Sequence, residues 1–184
     1  MQRTSNANDA PPTTTNPLLD FSGLPRFDAI RTEHVTPAVD RLLADARATV
    51  ERVATTADAP AWDTLVEPLT ESLDRLQRAW GAVQHLNAVV NTPELRDVYN
   101  ANLPKVIAFY TDLAQDLRLY GKYRALRDDA AFTVLDAAQR KLIDNELRDF
   151  RLGGAELSDA DKATYKALQE ELADLSTRFE EHLL

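Results

Sequence analysis

Three histidines, His34, His85 and His182, are the only imidazoles in the chain, and there is no cysteine. Imidazole is the commonest zinc ligand, and a His-Glu-x-x-His helix sets two of them one turn apart on one face with a carboxylate base between them. His34 is followed by Val35, His85 by Leu86 and His182 by Leu183, so that motif is absent. A site gathered from three scattered histidines stays open, but packing or surface roles explain them more simply. His34 falls in a stretch without helical period, His85 lies off the main apolar stripe of its expected helix, and His182 sits at the end of another.

Carboxylates offer a second chemistry. Glu67 with Glu71, and Glu170 and Glu171 with Asp174, have the spacing of neighbours on a helix face, where paired acids can do acid–base work. On an acidic helical chain such pairs are ordinarily solvated faces. There is no Gly-x-Ser-x-Gly elbow, P-loop or glycine-rich dinucleotide turn. Trp62, Trp80, Tyr99, Phe109, Tyr110, Tyr120, Tyr123, Phe150 and Tyr165 are too dispersed for a cofactor box and read as core or core-edge. The residues nominate no catalytic, cofactor-binding or metal-binding side chain.

The elements that would have to position any such site are helical. The chain has 184 residues, 44% apolar and 28% charged, enough for one folded domain. Five glycines and an abundance of Ala, Leu, Arg, Asp and Glu favour helices, since these residues lose little rotamer freedom there. A formal net charge of -9 argues against a nucleic-acid surface, which needs clustered cations. No stretch approaches a membrane span and no secretory h-region occurs, so the reading is a cytoplasmic protein with no membrane and no nucleic-acid partner.

Residues 1–15 are polar and proline-containing and are expected to form a disordered leader, leaving 16–184 as the helical domain. From Asn16 to Val35 apolar residues recur without helical period, which suggests an extended segment lying on the body. Thr36-Pro37 reads as the start of a first helix with the stripe Val39, Leu42, Leu43, Ala46, Val50 and Val53. A second stripe runs from Leu65 to Val90, with Asp63 as its cap. Thr92-Pro93-Glu94 opens a long third helix through Leu117 and Tyr120, kinked or divided near Asn100 to Leu103 by Pro104. A short helix is expected over Gly121 to Leu126. Another ends at Gly153-Gly154, and Ser158 to Asp161 caps a last one. In that last helix Tyr165, Leu168, Leu172, Leu175, Phe179 and His182 alternate by three and four residues. It carries no stop signal at Leu184 and is expected to continue beyond it.

Several of these stretches resemble one family. The block NPLLDFSGLPRFDAIRTEHVTPAVD from Asn16 is similar to the N-terminus of bacterial oligopeptidase A, in the thimet oligopeptidase and neurolysin group of zinc metallopeptidases. HLNAVVNTPELRDVYNANLP from His85, LYGKYRAL from Leu119, AQRKLIDNELRDFRLGGAEL from Ala138 and LADLSTRFEEHLL from Leu172 follow in the same order. The resemblance implies an all-α, neurolysin-like N-terminal domain of about five to seven helices. It also implies a two-lobed, monomeric or weakly associating parent with a deep channel that admits short peptides. In that family zinc is held by a His-Glu-x-x-His helix and a later Glu, whose counterparts fall outside this chain. The expectation is therefore a domain that forms part of the channel wall, holds no cofactor, is inactive alone, and has the missing catalytic domain as its partner. The alternative is a stand-alone helical module that binds a peptide or protein along the last stripe.

Overall fold

The computed structural model describes residues 16–182, so the expected leader at 1–15 lies outside the described residues. Six helices follow in order: α1 Thr32–Thr55, α2 Glu67–Val89, α3 Pro93–Ala114, α4 Leu117–Asp128, α5 Ala137–Leu152 and α6 Asp159–His182. A short tight turn at Pro17–Leu19 precedes α1, a wide turn at Trp62–Val66 leads into α2, and a second tight turn at Ala130–Val134 lies between α4 and α5. No strand occurs among the described residues, and the expectation of an all-α domain of five to seven helices holds.

The starts of the helices show which local signals acted. α1 begins at Thr32, a turn before the expected Thr36-Pro37, because His34 supplies the cap. Its Nδ1 accepts the Arg31 amide at 3.0 Å, as the third residue of a capping box does. Pro37 therefore lies inside the helix, where its missing N–H costs the one bond it would have made to the Glu33 carbonyl. The Thr36 hydroxyl is used elsewhere, accepting from Asn102 Nδ2 at 2.8 Å. Asp63 is not the cap before α2; the Thr64 hydroxyl accepts the Ala61 amide there at 3.2 Å.

The expected long third helix is two. α3 ends at Ala114, and Asp116 caps α4 by accepting the amides of Arg118 at 2.8 Å and Leu119 at 3.3 Å. Pro104, expected to divide the helix, leaves α3 continuous as one element. The lost bond to Asn100 is worth about 1 kcal/mol net, and packing against α1, α2 and α6 outweighs it. Gly121 to Leu126 belongs to α4. α5 opens on a reciprocal Asp136–Gln139 box, 2.8 and 3.0 Å, and closes at Gly153-Gly154 with Gly154 at φ 94°. The Ser158 hydroxyl accepts the Asp161 amide at 3.2 Å to start α6.

Two apolar clusters form the core. One joins Val35, Val39, Leu42 and Leu43 of α1 to Leu76, Trp80 and Val83 of α2 and Val106 and Phe109 of α3. The other gathers Val53, Leu65, Leu69, Leu119, Tyr123, Ile143 and Phe150 around α4 and α5. Leu73 and Leu113 touch both, so the helices up to α5 share one interior. Residues 20–31 lie along the body outside the six helices, with Ile30 buried in the first cluster. Arg75 and Arg78 lie 5.8 and 5.7 Å from the Phe21 ring, and Arg78 donates to the Gly23 carbonyl at 2.7 Å.

Candidate functional site

The three histidines stand on three different elements. His34, expected in irregular backbone, is in the first turn of α1 with Nδ1 committed to the Arg31 amide. His85 is exposed on α2, edge-on to Phe27 with ring centroids 5.3 Å apart. His182 is exposed in the last described turn of α6. No group of three or more His, Cys, Asp or Glu that could hold a metal occurs among the described residues. The donor set here does not fit a zinc site.

The paired carboxylates are surface groups. Glu67, Glu71, Glu170, Glu171 and Asp174 are all exposed, and Glu71 is paired with Arg75 at 2.5 Å across one helical turn. Such exposed pairs contribute little. One acid set apart by burial was not among those singled out by spacing. Glu146 on α5 is half-buried, and burial, with the nearby Asp149 charge adding to it, raises its pKa. Burial, and to a lesser extent the Glu146 charge, push the Tyr123 hydroxyl up. Glu146 belongs to no metal-ligating cluster among the described residues.

What the fold does build is a groove. α6 runs antiparallel to α3, with Lys166 Nζ 2.7 Å from Asp112 near one end and Ala173 and Thr177 beside Asn100 to Pro104 at the other. α2 flanks α3 on its other side. Between α2 and α6, over α3, lies a hollow of about 640 Å³ lined by Gln77, Trp80, Gln84, Tyr110, Tyr165 and Gln169 among others. Its lining is aromatic, aliphatic and amide, with no ionisable acid or base apart from the tyrosines. Burial raises the Tyr110 pKa, so its hydroxyl stays a protonated donor at neutral pH. Trp80 is held by stacking on Tyr99, centroids 5.0 Å apart and planes 7° from parallel. A second hollow of about 370 Å³, bordered by Glu170, Asp174 and Arg178, shares Leu103 and Ile107 with the first. Aromatic faces and primary amides can hold a neutral polar chain.

The helix bordering this groove is turned unusually. Its half-buried side, toward α3, is Tyr165, Lys166, Gln169, Ala173 and Thr177, while Leu168, Leu172, Leu175 and Phe179 are 58, 58, 50 and 65% exposed. Of the expected apolar stripe, Leu168, Leu172, Leu175 and Phe179 face away from the body, whereas its first member, Tyr165, is turned toward the groove. Neither the groove nor this orientation was legible beforehand, since both depend on how helices are placed against each other.

Comparison with known proteins gives consistent answers. Residues 39–162 match the family model of the neurolysin/thimet oligopeptidase N-terminal domain. The chain is 41% identical over 170 residues to oligopeptidase A of Haemophilus influenzae, covering 92% of this chain and 25% of that protein. It is 33% identical over 171 residues to the probable cytosolic oligopeptidase A of Arabidopsis thaliana, covering 93% and 24%. To dipeptidyl carboxypeptidase of Escherichia coli it is 31% identical over 184 residues, covering 94% and 26%. The chain thus spans about a quarter of the length of these relatives.

Proposed function

Since the chain belongs to the neurolysin/thimet oligopeptidase N-terminal domain family, we propose that it serves as the non-catalytic helical N-terminal part of an oligopeptidase A-like zinc peptidase acting on short peptides. It would contribute to the wall of the substrate channel and be inactive without the catalytic part, which is its partner. The observation that carries this reading is the 41% identity over almost the whole chain to a quarter of oligopeptidase A. The site chemistry supports it: His34 Nδ1 is taken by an amide, and no metal-ligating cluster lies among the described residues. Two relatives named for different peptidase activities, oligopeptidase A and dipeptidyl carboxypeptidase, share this region, which suits a part that does not itself set the reaction. Zinc belongs, on this reading, to the catalytic part of the longer enzyme. A cytoplasmic setting fits the lack of cysteine and the absence, among the described residues, of any helix long and apolar enough to cross a membrane.

The test is a graft. With this chain replacing the corresponding quarter of the Haemophilus influenzae enzyme, the chimera is expected to cleave a quenched fluorescent peptide, and the 184-residue chain alone is not, with or without added zinc. Zinc-dependent turnover by the isolated chain, or a folded but inactive chimera, would overturn the proposal. A second reading, a stand-alone helical module binding a peptide or protein, is favoured by the outward stripe of α6.

A further inference from the structure

We infer that the outward stripe of α6, made of Leu168, Leu172, Leu175 and Phe179, is the face on which this chain docks to the remainder of the longer peptidase. α6 is then held between two bodies, α3 on one side and the catalytic part on the other. This rests on the peptidase reading and adds to it the surface that meets the partner. The four side chains are at least half exposed and share one side of the helix over about 17 Å, at about 1.5 Å per residue. Tyr165 is not part of this face, since it lines the groove with Gln169.

The orientation of α6 calls for a second body. The cleft beside it offers apolar surface, Leu103, Val106 and Ile107 of α3, and turning α6 by about a third of a turn would lay its leucines there. Instead Gln169, Ala173 and Thr177 are on the inner side, and the larger apolar side chains face out. Burying a leucine is a stronger driving force than burying an alanine or an amide, so a helix settled this way has its main apolar partner on the outer side. Relative length identifies that partner. The N-terminal domain family model covers residues 39–162, so nearly all of α6, Asp159–His182, lies beyond what that model describes. The similarity to oligopeptidase A nevertheless covers 92% of this chain, which leaves too few residues unmatched to omit a 24-residue helix, and only 25% of that relative is accounted for. α6 therefore belongs where the domain meets the rest. Size points to the same occupant. One helix face buries a few hundred Å², short of the roughly 1,000 Å² that a separate protein needs for a specific complex. A surface tethered within one chain needs no such area, because a tether supplies an effective concentration of about millimolar.

The chain has no cysteine, so a single introduced thiol reports one face at a time. Leu172→Cys and Leu175→Cys should react freely with a maleimide in the 184-residue chain, and at least about tenfold more slowly in the full-length graft with the Haemophilus influenzae enzyme, labelling being read on the α6 peptide by mass spectrometry. Ala167→Cys, exposed on α6 but off the stripe, should react at similar rates in both. Equal rates at positions 172 and 175 in chain and graft would overturn the proposal, as would protection at position 167 as strong as theirs. If the graft does not fold, the same three substitutions at the aligned positions of the intact Haemophilus influenzae enzyme are compared with the 184-residue chain by the same criteria. Hydrolysis tests the channel-wall reading and labelling tests this one. A folded, inactive graft with protected thiols removes the former alone, and an active graft with reactive thiols removes the latter alone.

Discussion

α1 and α6 are both 24 residues long, and both carry an apolar stripe of helical period. In α1 that stripe is interior: Val39, Leu42, Leu43, Ala46 and Val53 are between 0 and 5% exposed, enclosed by α2, α3 and, at Val53, the cluster around α4 and α5. In α6 the stripe is exterior, and tyrosine, amide and small residues take the inner side. Period shows that a helix has a face; it does not say what meets it. For α1 the partner is within this chain. For α6 the apolar face remains open, and only its half-buried side is engaged, principally by α3.

The sharpest way to break this contrast is to make one substitution in both stripes. Leu42→Ala removes a 4% exposed side chain from a closed interior and should cost about 3 kcal/mol, transfer and cavity together. Leu172→Ala, at 58% exposure, should stay within about 0.5 kcal/mol. Urea unfolding at low micromolar protein measures both. Equal losses would mean that α6 is integral to the interior and that the two helices do not differ.

Two of the neighbours of α3, α5 and α6, carry the contrast into backbone packing. Its C-terminal end is pressed against the close of α5, where a Cβ added at Gly153 would lie 2.5 Å from the Ala114 Cβ and 3.2 Å from the Asp149 carbonyl oxygen. Along the rest of α3, the groove separates α2 from α6. Gly153→Ala should therefore destabilise by about 1–3 kcal/mol through overpacking, and adding Ala114→Gly should recover part of it. A Tm unchanged by Gly153→Ala would show that α3 and α5 can part as easily as α3 and α6.

Helix existence and most stops were readable because their causes are local. Thr92 accepts the Leu95 amide at 3.3 Å, and Gly154 takes the positive φ that the double glycine foretold. Two boundaries were missed for different reasons. Asp116 is an ordinary capping residue, but the apolar positions Leu113, Leu117 and Tyr120 continue the spacing across it and mask the break. The early start of α1 depends on a histidine acting as the acceptor in a cap, a role more usual for Glu or Gln. The groove had no local signal. Trp80, Tyr110 and Tyr165 are far apart in the chain and meet only because α6 folds back along α3. The family resemblance, by contrast, was carried by ordered blocks and survives any error in a helix boundary.

The mildest contrast concerns two glutamates. Glu146 is half-buried on α5 and its pKa is raised by burial, whereas Glu170 is exposed on α6. A carboxyl whose folded pKa lies above its unfolded value binds more protons when folded. Stability therefore falls as pH rises from the unfolded to the folded pKa, and the penalty is fully present above the latter. Removing the charge by Glu146→Gln should accordingly raise Tm at pH 7 by about 1–3 °C, with the advantage gone below about pH 4, where the wild-type group is already neutral in both states. Glu170→Gln should leave Tm unchanged at both values, because an exposed side chain keeps its water whether the chain is folded or not. Paired melts of the two variants at pH 7 and pH 4 decide it. If both variants gain alike at neutral pH, relief of the chain's overall negative charge is the cause, and the buried acid has no special place in the body.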